Sequence, residues 1–323
     1  PSTCEDVEGL FYACTYLTSE NPIGVSDFSN VKSIRYAFQN DVKFSQENFN
    51  TSKCENFASA FRGNLNVEKI TIDISNIKQN DMFESGLNYI FANCTNLKEV
   101  HLAGEPKEPF NLTHAFGYCR NLIKVTSDFP IKVTDAEVSF DECNVLEVIP
   151  EIDFSECTSV AQMFYRCHKL KTIPSVFDLR NCANLLNFFR ENHAIVEVNL
   201  KNTKGIISYN RCFNHCQSLE RITGVDVTSN TEWSYMFNNC PKLTYIELTS
   251  DTADKLITTL KSENVTYITL HVGSEEGAYV YDISKCTDEV IDEVMDLFIE
   301  LGADIEDLDF PVVYVSAING TSS

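Results

Sequence analysis

The sequence predicts an α/β solenoid of about ten turns, each about 24 residues long and built from one short helix and one short parallel strand. Three observations predict it. A phenylalanine recurs at Phe11, Phe38, Phe61, Phe91, Phe116, Phe140, Phe164, Phe189, Phe213 and Phe237, in steps of 24, 24, 25, 24 and 24 from Phe116 onward. Three residues after it stands Cys or Asn: Cys14, Asn64, Cys94, Cys119, Cys143, Cys167, Asn192, Cys216 and Cys240, with Asp41 the exception. Apolar residues then follow at fixed offsets, giving the unit F-x-x-[CN]-x-x-L-x-x-[IV]-x-L.

Each part of the unit has a physical reading. The stretch before the phenylalanine, as in "TSVAQMF" (158–164), reads as a short helix. The residue six after it, from Leu17 and Val67 to Leu219 and Leu243, is apolar and faces the core. The residue nine after it is β-branched from the third copy on: Ile70, Val100, Val125, Ile149, Ile173, Val198, Ile222 and Ile246. Ile72, Leu102, Leu200 and Leu248 add a second apolar residue two further on, which is the alternation of a strand with one buried side. Successive strands pair in parallel about 5 Å apart, and no turn buries its apolar side without its neighbours.

The 13 cysteines follow the same register. Seven occupy the slot three after a phenylalanine, and Cys4, Cys54, Cys157 and Cys182 lie seven before one. Cys212 adjoins Phe213, and Cys286 stands outside the scheme. A slot shared by Cys and Asn suits a small buried side chain at a bend, so free thiols are expected, with disulfides between neighbouring turns as the alternative. Cys212, His215 and Cys216 form the nearest approach to a metal-ligand cluster, but Cys216 already fills a repeat slot, and no metal or other cofactor is expected.

With 47 acidic and 25 basic residues the formal charge is −22, the opposite of a nucleic-acid footprint and unsuited to an anionic membrane surface. No apolar run reaches membrane-spanning length and no signal peptide is present. The chain opens in mid-register, with Cys4 seven before Phe11, so upstream turns are expected. The organisation read from the sequence is a solenoid over 1–250, a closing helix and strand over 251–283, and a tail over 284–323. In the closing segment Ala253, Leu256, Ile257 and Leu260 mark an amphipathic helix and "VTYITLHV" (265–272) a strand.

Two resemblances add to this. The segments "DFSECTSVAQMFYRCHKLKTIP" (153–174) and "NTEWSYMFNNCPKLTYIEL" (230–248) resemble the repeats of BspA-like leucine-rich-repeat surface proteins, and the likeness runs over about residues 1–280. It implies a cell-surface or secreted protein that adheres to a host or partner surface, although the Ile-Gly that precedes the phenylalanine in many such repeats is missing here. Residues 287–323, "TDEVIDEVMDLFIELGADIEDLDFPVVYVSAINGTSS", resemble a fragment of the GTP-binding domain of the TypA/BipA translational GTPases. Ser316 and Ala317 match that family's guanine-contacting loop, yet the chain has neither a phosphate-binding glycine loop nor an Asn-Lys-x-Asp motif, so no GTPase activity is expected. The tail reads as a joined sequence with its seam near 280–288, or as an acidic extension that docks on the solenoid or is poorly ordered.

The function these readings predict is a non-catalytic binding module, with a structural spacer, or part of a GTP-binding protein, as the alternatives. Its partner, a protein or glycan on a host or neighbouring cell surface, would meet the strand side. There the outward residues eight after each phenylalanine are Lys69, Glu99, Lys124, Val148, Thr172, Glu197, Arg221 and Tyr245. Those ten after include His101, Pro150, Pro174, Asn199 and Glu247. They mix charges and types, and an ordinary solvated face reads equally well at any one of them.

Overall fold

A computed structural model describes residues 4–14, 28–40, 50–79, 85–174 and 176–249, together with the strands at 269–272 and 279–282. The chain winds into a β-solenoid. Its strands in chain order are β1 (Lys69–Asp73), β2 (Glu99–Ala103), β3 (Phe110–Asn111), β4 (Lys124–Ser127), β5 (Ile131–Asp135), β6 (Ile152–Asp153), β7 (Phe177–Asp178), β8 (Glu197–Lys201), β9 (Arg221–Val225), β10 (Tyr245–Leu248), β11 (Thr269–Val272) and β12 (Tyr279–Asp282). They form three sheets, ordered β1-β2-β4, β3-β5-β6 and β12-β11-β10-β9-β8-β7. All pairings are parallel except β11 with β12, which is antiparallel.

The α/β expectation is overturned: the described residues hold one 3₁₀ turn, Thr203–Gly205, and no α-helix. Around each phenylalanine the backbone is a string of tight turns, and the hydrogen bonds explain why. In the coil of Phe116, the amides of Leu112, His114, Phe116 and Tyr118 donate to the carbonyls of Asp135, Glu137, Ser139 and Asp141 in the following coil, at 2.7–2.9 Å. The alternate amides of Ala115, Gly117 and Cys119 donate three residues back, to Leu112, His114 and Phe116. An α-helix needs every amide for its own carbonyl four residues back, and here half of them serve the neighbour. The same pattern recurs in the coils of Phe11, Phe38, Phe61, Phe91, Phe189 and Phe213.

These turns require left-handed backbone at two fixed places. Two before the phenylalanine, Tyr36, Ser59, Tyr89, His114, Val138, Gln162, Asn187, Arg211 and Tyr235 all have φ between 54° and 60°. Two after it, Asn93, Tyr118, Glu142, Arg166, Glu191, His215 and Asn239 have φ between 54° and 64°. A non-glycine residue costs about 1 kcal/mol in that region, so stacking has to offset a penalty repeated in every coil. The apolar spacing that reads as helix in "TSVAQMF" reports which turn residues point inward, not a helical stripe.

The phenylalanine ladder is observed as predicted. All ten rings stack in one column, with successive centroids 5.1–5.9 Å apart and planes within 19°. Nine of the ten are fully buried, and Phe11, at the first coil, is partly covered. A buried aromatic ring of this kind removes about 150–250 Å² from water, so the column dominates the core.

The Cys/Asn slot has a clear chemical role. The thiols of Cys94, Cys119, Cys143, Cys167, Cys216 and Cys240 each donate to the carbonyl of the phenylalanine one coil earlier, at 2.9–3.1 Å. Where Asn replaces Cys, the side chain turns to its own coil instead. The Oδ1 of Asn64 accepts from the amides of Asn66 and Val67, and that of Asn192 from Ala194 and Ile195. All 12 described cysteines are free thiols, and ten are buried. Burial first pushes the thiols of Cys54 and Cys94 up to about 12, with the Glu55 charge adding at Cys54 and backbone hydrogen bonds opposing at both.

The strand expected within 265–272 is β11, which pairs in parallel with β10. The closing helix expected at 253–260 and the tail at 284–323 lie outside the described residues.

Candidate partner-binding face

The parallel register gathers the predicted face into two blocks. In the first, Lys69, Glu99 and Lys124 stand side by side on β1, β2 and β4, with Thr71, His101 and Thr126 as the next row. In the second, Glu197, Arg221 and Tyr245 align on β8, β9 and β10, and Asn199 faces Thr223. The intervening Ile and Val side chains point inward, giving alternating burial along β1, β2 and β8.

Within each block the charges meet one another. Glu99 accepts from Lys69 at 2.8 Å and Lys124 at 3.1 Å. These two ammonium groups, through hydrogen bonding first, hold the Glu99 carboxyl below its usual range. Arg221 reaches Glu197 at 3.5 Å and Glu247 at 3.8 Å, and its guanidinium lies 3.6 Å from the centre of the Tyr245 ring. The Tyr245 hydroxyl donates to Glu247 at 3.3 Å. His101 bonds Thr126 at 2.9 Å and lies 3.3 Å from Asp128, while Thr223 donates to Asn199 at 2.8 Å. Exposed ladders of this kind add little stability, but they order long side chains into a fixed surface.

Between the blocks the sheet is interrupted. Val148 keeps a single bridge to Lys124. Thr172 lies in no strand, and no backbone hydrogen bond ties Lys171, Thr172 or Ile173 to either neighbouring coil among the described residues. Pro150 and Pro174, ten after Phe140 and Phe164, account for the break: proline has no amide to give to a ladder. The interruption exposes uncharged side chains, with Val148 at 46 % and Val176 at 55 % of full exposure beside Thr172 and Pro174. Of the predicted face residues, Thr172 therefore stands apart from both blocks. Val176 was not among the predicted residues, because it falls outside the repeated offsets.

A second ladder went unread in the sequence. Eleven before the phenylalanine stand Asn50, Asp153, Asp178 and Asp226. Each accepts, through Oδ1, the amide two residues on: Ser52 at 3.2 Å, Ser155 at 2.9 Å, Arg180 at 3.4 Å and Thr228 at 2.9 Å. These Asx turns make one corner of the coil. The Arg180 guanidinium bonded to Asp178 holds that carboxyl at about 2. The signal was legible as Asp or Asn at a constant offset in these four coils, followed two residues on by Ser or Thr in three of them. It is architectural rather than chemical.

No group of three or more His, Cys, Asp or Glu side chains is arranged to hold a metal ion among the described residues. In the Cys212–His215–Cys216 segment, Cys216 donates its thiol to Phe189 and His215 is engaged by Asn239. Among the described residues no helix is long and apolar enough to cross a membrane.

Comparison with known proteins gives two results of different extent. The family model described as "Mycoplasma protein of unknown function, DUF285" matches residues 5–125 and 134–249, most of the chain. Two curated relatives match over short stretches only. The large ribosomal subunit assembly factor BipA of Bacillus subtilis is 75% identical over 36 residues, 11% of this chain. The same factor of Haemophilus influenzae is 57% identical over 35 residues, also 11% of this chain. The matched stretch spans 6% of the length of each of these relatives.

Proposed function

We propose that this chain, which belongs to the DUF285 family, is a non-catalytic binding module that recognises a protein or glycan at a cell surface through its strand face. The observation that carries the reading is the division of labour between buried and exposed positions. The residues that repeat are spent on the core, while those eight and ten after each phenylalanine differ from coil to coil. Such a surface encodes a partner in its variation, as stacked-repeat proteins do. Within it, the break at Val148, Thr172 and Val176 offers the least costly area to cover, because these three side chains carry no charge and the charged rows of the two blocks are paired within their own blocks. Membership of a repeat family and a solenoid fold support a repeat-based binding role, and location at the cell surface follows from the same reading.

The test is binding of the full chain to immobilised extracellular-matrix proteins and glycans, compared with a Val148→Glu/Thr172→Arg variant. Both sites are exposed, so the melting temperature should hold while capture falls about tenfold or more. Equal capture by both proteins, or capture by neither, would leave the spacer role as the better account.

A further inference from the structure

The strand face is its own complement when one copy is turned end for end. The coils of Phe61 to Phe237 stack evenly, with ring centroids 5.1–5.9 Å apart, so coils on either side of a midpoint between Phe140 and Phe164 lie at matched distances from it. Eight after the phenylalanine, the residues outward from that midpoint are Val148, Lys124, Glu99 and Lys69 on one side. On the other they are Thr172, Glu197, Arg221 and Tyr245. Set coil against coil, Lys124 meets Glu197, Glu99 meets Arg221, and the uncharged Val148 meets Thr172. Lys69 meets Tyr245, whose hydroxyl donates to Glu247.

The row seven after the phenylalanine repeats the match. Glu147 meets Lys171, Lys98 meets Glu220, and Ile123 meets Val196, two apolar side chains at 40 % and 42 % of full exposure. In both rows, every pair that is charged on both sides is opposite in sign. These charges are not used up within one copy. Lys69 and Lys124 share the single carboxylate of Glu99, and Glu197 and Glu247 share the single guanidinium of Arg221, which leaves one block with an excess positive charge and the other with an excess negative one. Glu147, Lys171 and Glu220 make no ion pair among the described residues.

We propose that the strand face pairs with the same face of a second copy of this chain, the two solenoids antiparallel about a two-fold axis that runs along the strands between the coils of Phe140 and Phe164. The inference rests on the strand-face reading and names its protein partner. A two-fold contact of this kind makes each pairing twice, so Lys124 of either copy faces Glu197 of the other. The charges also select the register. Slipping it by one coil sets Lys124 against Arg221 and Lys171 against itself, or, in the other direction, Glu99 against Glu197 and Lys69 against Arg221. Running the copies in parallel sets each coil against itself, Lys124 by Lys124 and Glu99 by Glu99. Ile123, Val148 and Val196 lie near the axis and the charged pairs extend outward from it, the arrangement of an apolar centre with a polar rim. Strands about five residues long in eight coils span a face of about 600 Å², so the pair covers about 1,200 Å² in total, enough for a specific interface.

The test is the mass of the full chain in solution by sedimentation equilibrium, at concentrations up to about 100 μM and in low and high salt. The wild type should dimerise, and more weakly as salt is raised. Lys124→Glu and Glu197→Lys each bring like charges together twice, so each alone should dimerise about tenfold or more less tightly while keeping the wild-type melting curve. Mixed one to one, the two variants should recover the dimer, because each contact across the axis again joins opposite charges. That recovery cannot come from an effect inside one copy. A wild type that stays monomeric, single variants that dimerise as the wild type does, or a mixture that stays monomeric would overturn the proposal. Capture of matrix proteins and glycans is scored separately. A monomer that captures one keeps the strand-face reading and loses this inference, whereas a dimer that captures none keeps this inference and leaves the face without a foreign partner.

Discussion

Replacing Asp141 with Asn should stabilise the solenoid, and the gain should depend on pH. Asp141 is 3 % exposed with an unpartnered Oδ1. Burial first and the adjacent Glu142 second raise its pKa from 3.8 to about 7, with the Tyr118 hydrogen bond and Arg166 opposing. A difference of about 3 pKa units corresponds to roughly 4 kcal/mol between the two protonation states. The sign follows from linkage. The folded pKa lies above the unfolded one, so the folded state is favoured most below about pH 4, and that advantage is lost as pH rises through 7. Asparagine carries no charge and fits the slot, since Asn214 and Asn238 hold the same position, one after the phenylalanine, in later coils. Asp141→Asn should therefore be close to neutral at pH 4.5 and stabilising by about 2–4 kcal/mol at pH 8. Urea unfolding followed by circular dichroism at several pH values would measure this. The same difference at both pH values, or a loss of stability at pH 8, would refute the claim that Asp141 is desolvated in the fold.

Three further outcomes follow from the coil geometry. Gly224 has φ of +74°, and an added Cβ would stand 1.9 Å from the Leu200 carbonyl oxygen, so Gly224→Ala should destabilise far more than Gly9→Ala, which meets nothing within 4 Å. The second change should cost about 1–2 kcal/mol and the first several, read as a difference in melting temperature. Phe140→Ala opens the middle of the ring column, between Phe116 and Phe164, and should cost about 3–5 kcal/mol in unfolding measurements. In native protein at pH 8, a thiol reagent should modify Cys4 and Cys14 first among the described cysteines, because the ten buried thiols are raised or shielded by burial. Rapid labelling of Cys119 or Cys143 without denaturant would contradict the observed burial.

The sequence made the inside of this protein plain and misjudged the path of its backbone. The phenylalanines, the Cys/Asn slot and the β-branched positions repeat because a stacked core demands the same shape in every coil. Each of these ladders is present in the fold. The helix was misread because amphipathic spacing cannot report where an amide donates. Leu112, His114, Phe116 and Tyr118 donate to the next coil, and that pairing is visible only in three dimensions. The binding face was legible as a set of offsets, and Lys69, Glu99 and Lys124 do stand in one row. Its division into two charged blocks around an uncharged break was also encoded, by Pro150 and Pro174, whose effect depends on the parallel register. The contacts that join Arg166 to Glu142 and Glu191, and His168 to the Glu191 carbonyl, were harder to see, since they bridge residues 23–25 apart in the chain.

The ring column also sets a rule for how this protein can change length. The step from Phe61 to Phe91 is 30 residues, yet those rings stack at 5.5 Å and 16°, like pairs separated by 24. The longer step leaves the stack undisturbed, whereas a single insertion between a phenylalanine and its cysteine would put the thiol out of reach of its carbonyl. Evolution can therefore edit this chain in only two currencies: whole coils, which extend it along its axis, and corner loops, which decorate it. A lineage could add or delete repeats, and so resize its binding face, without redesigning a single core contact.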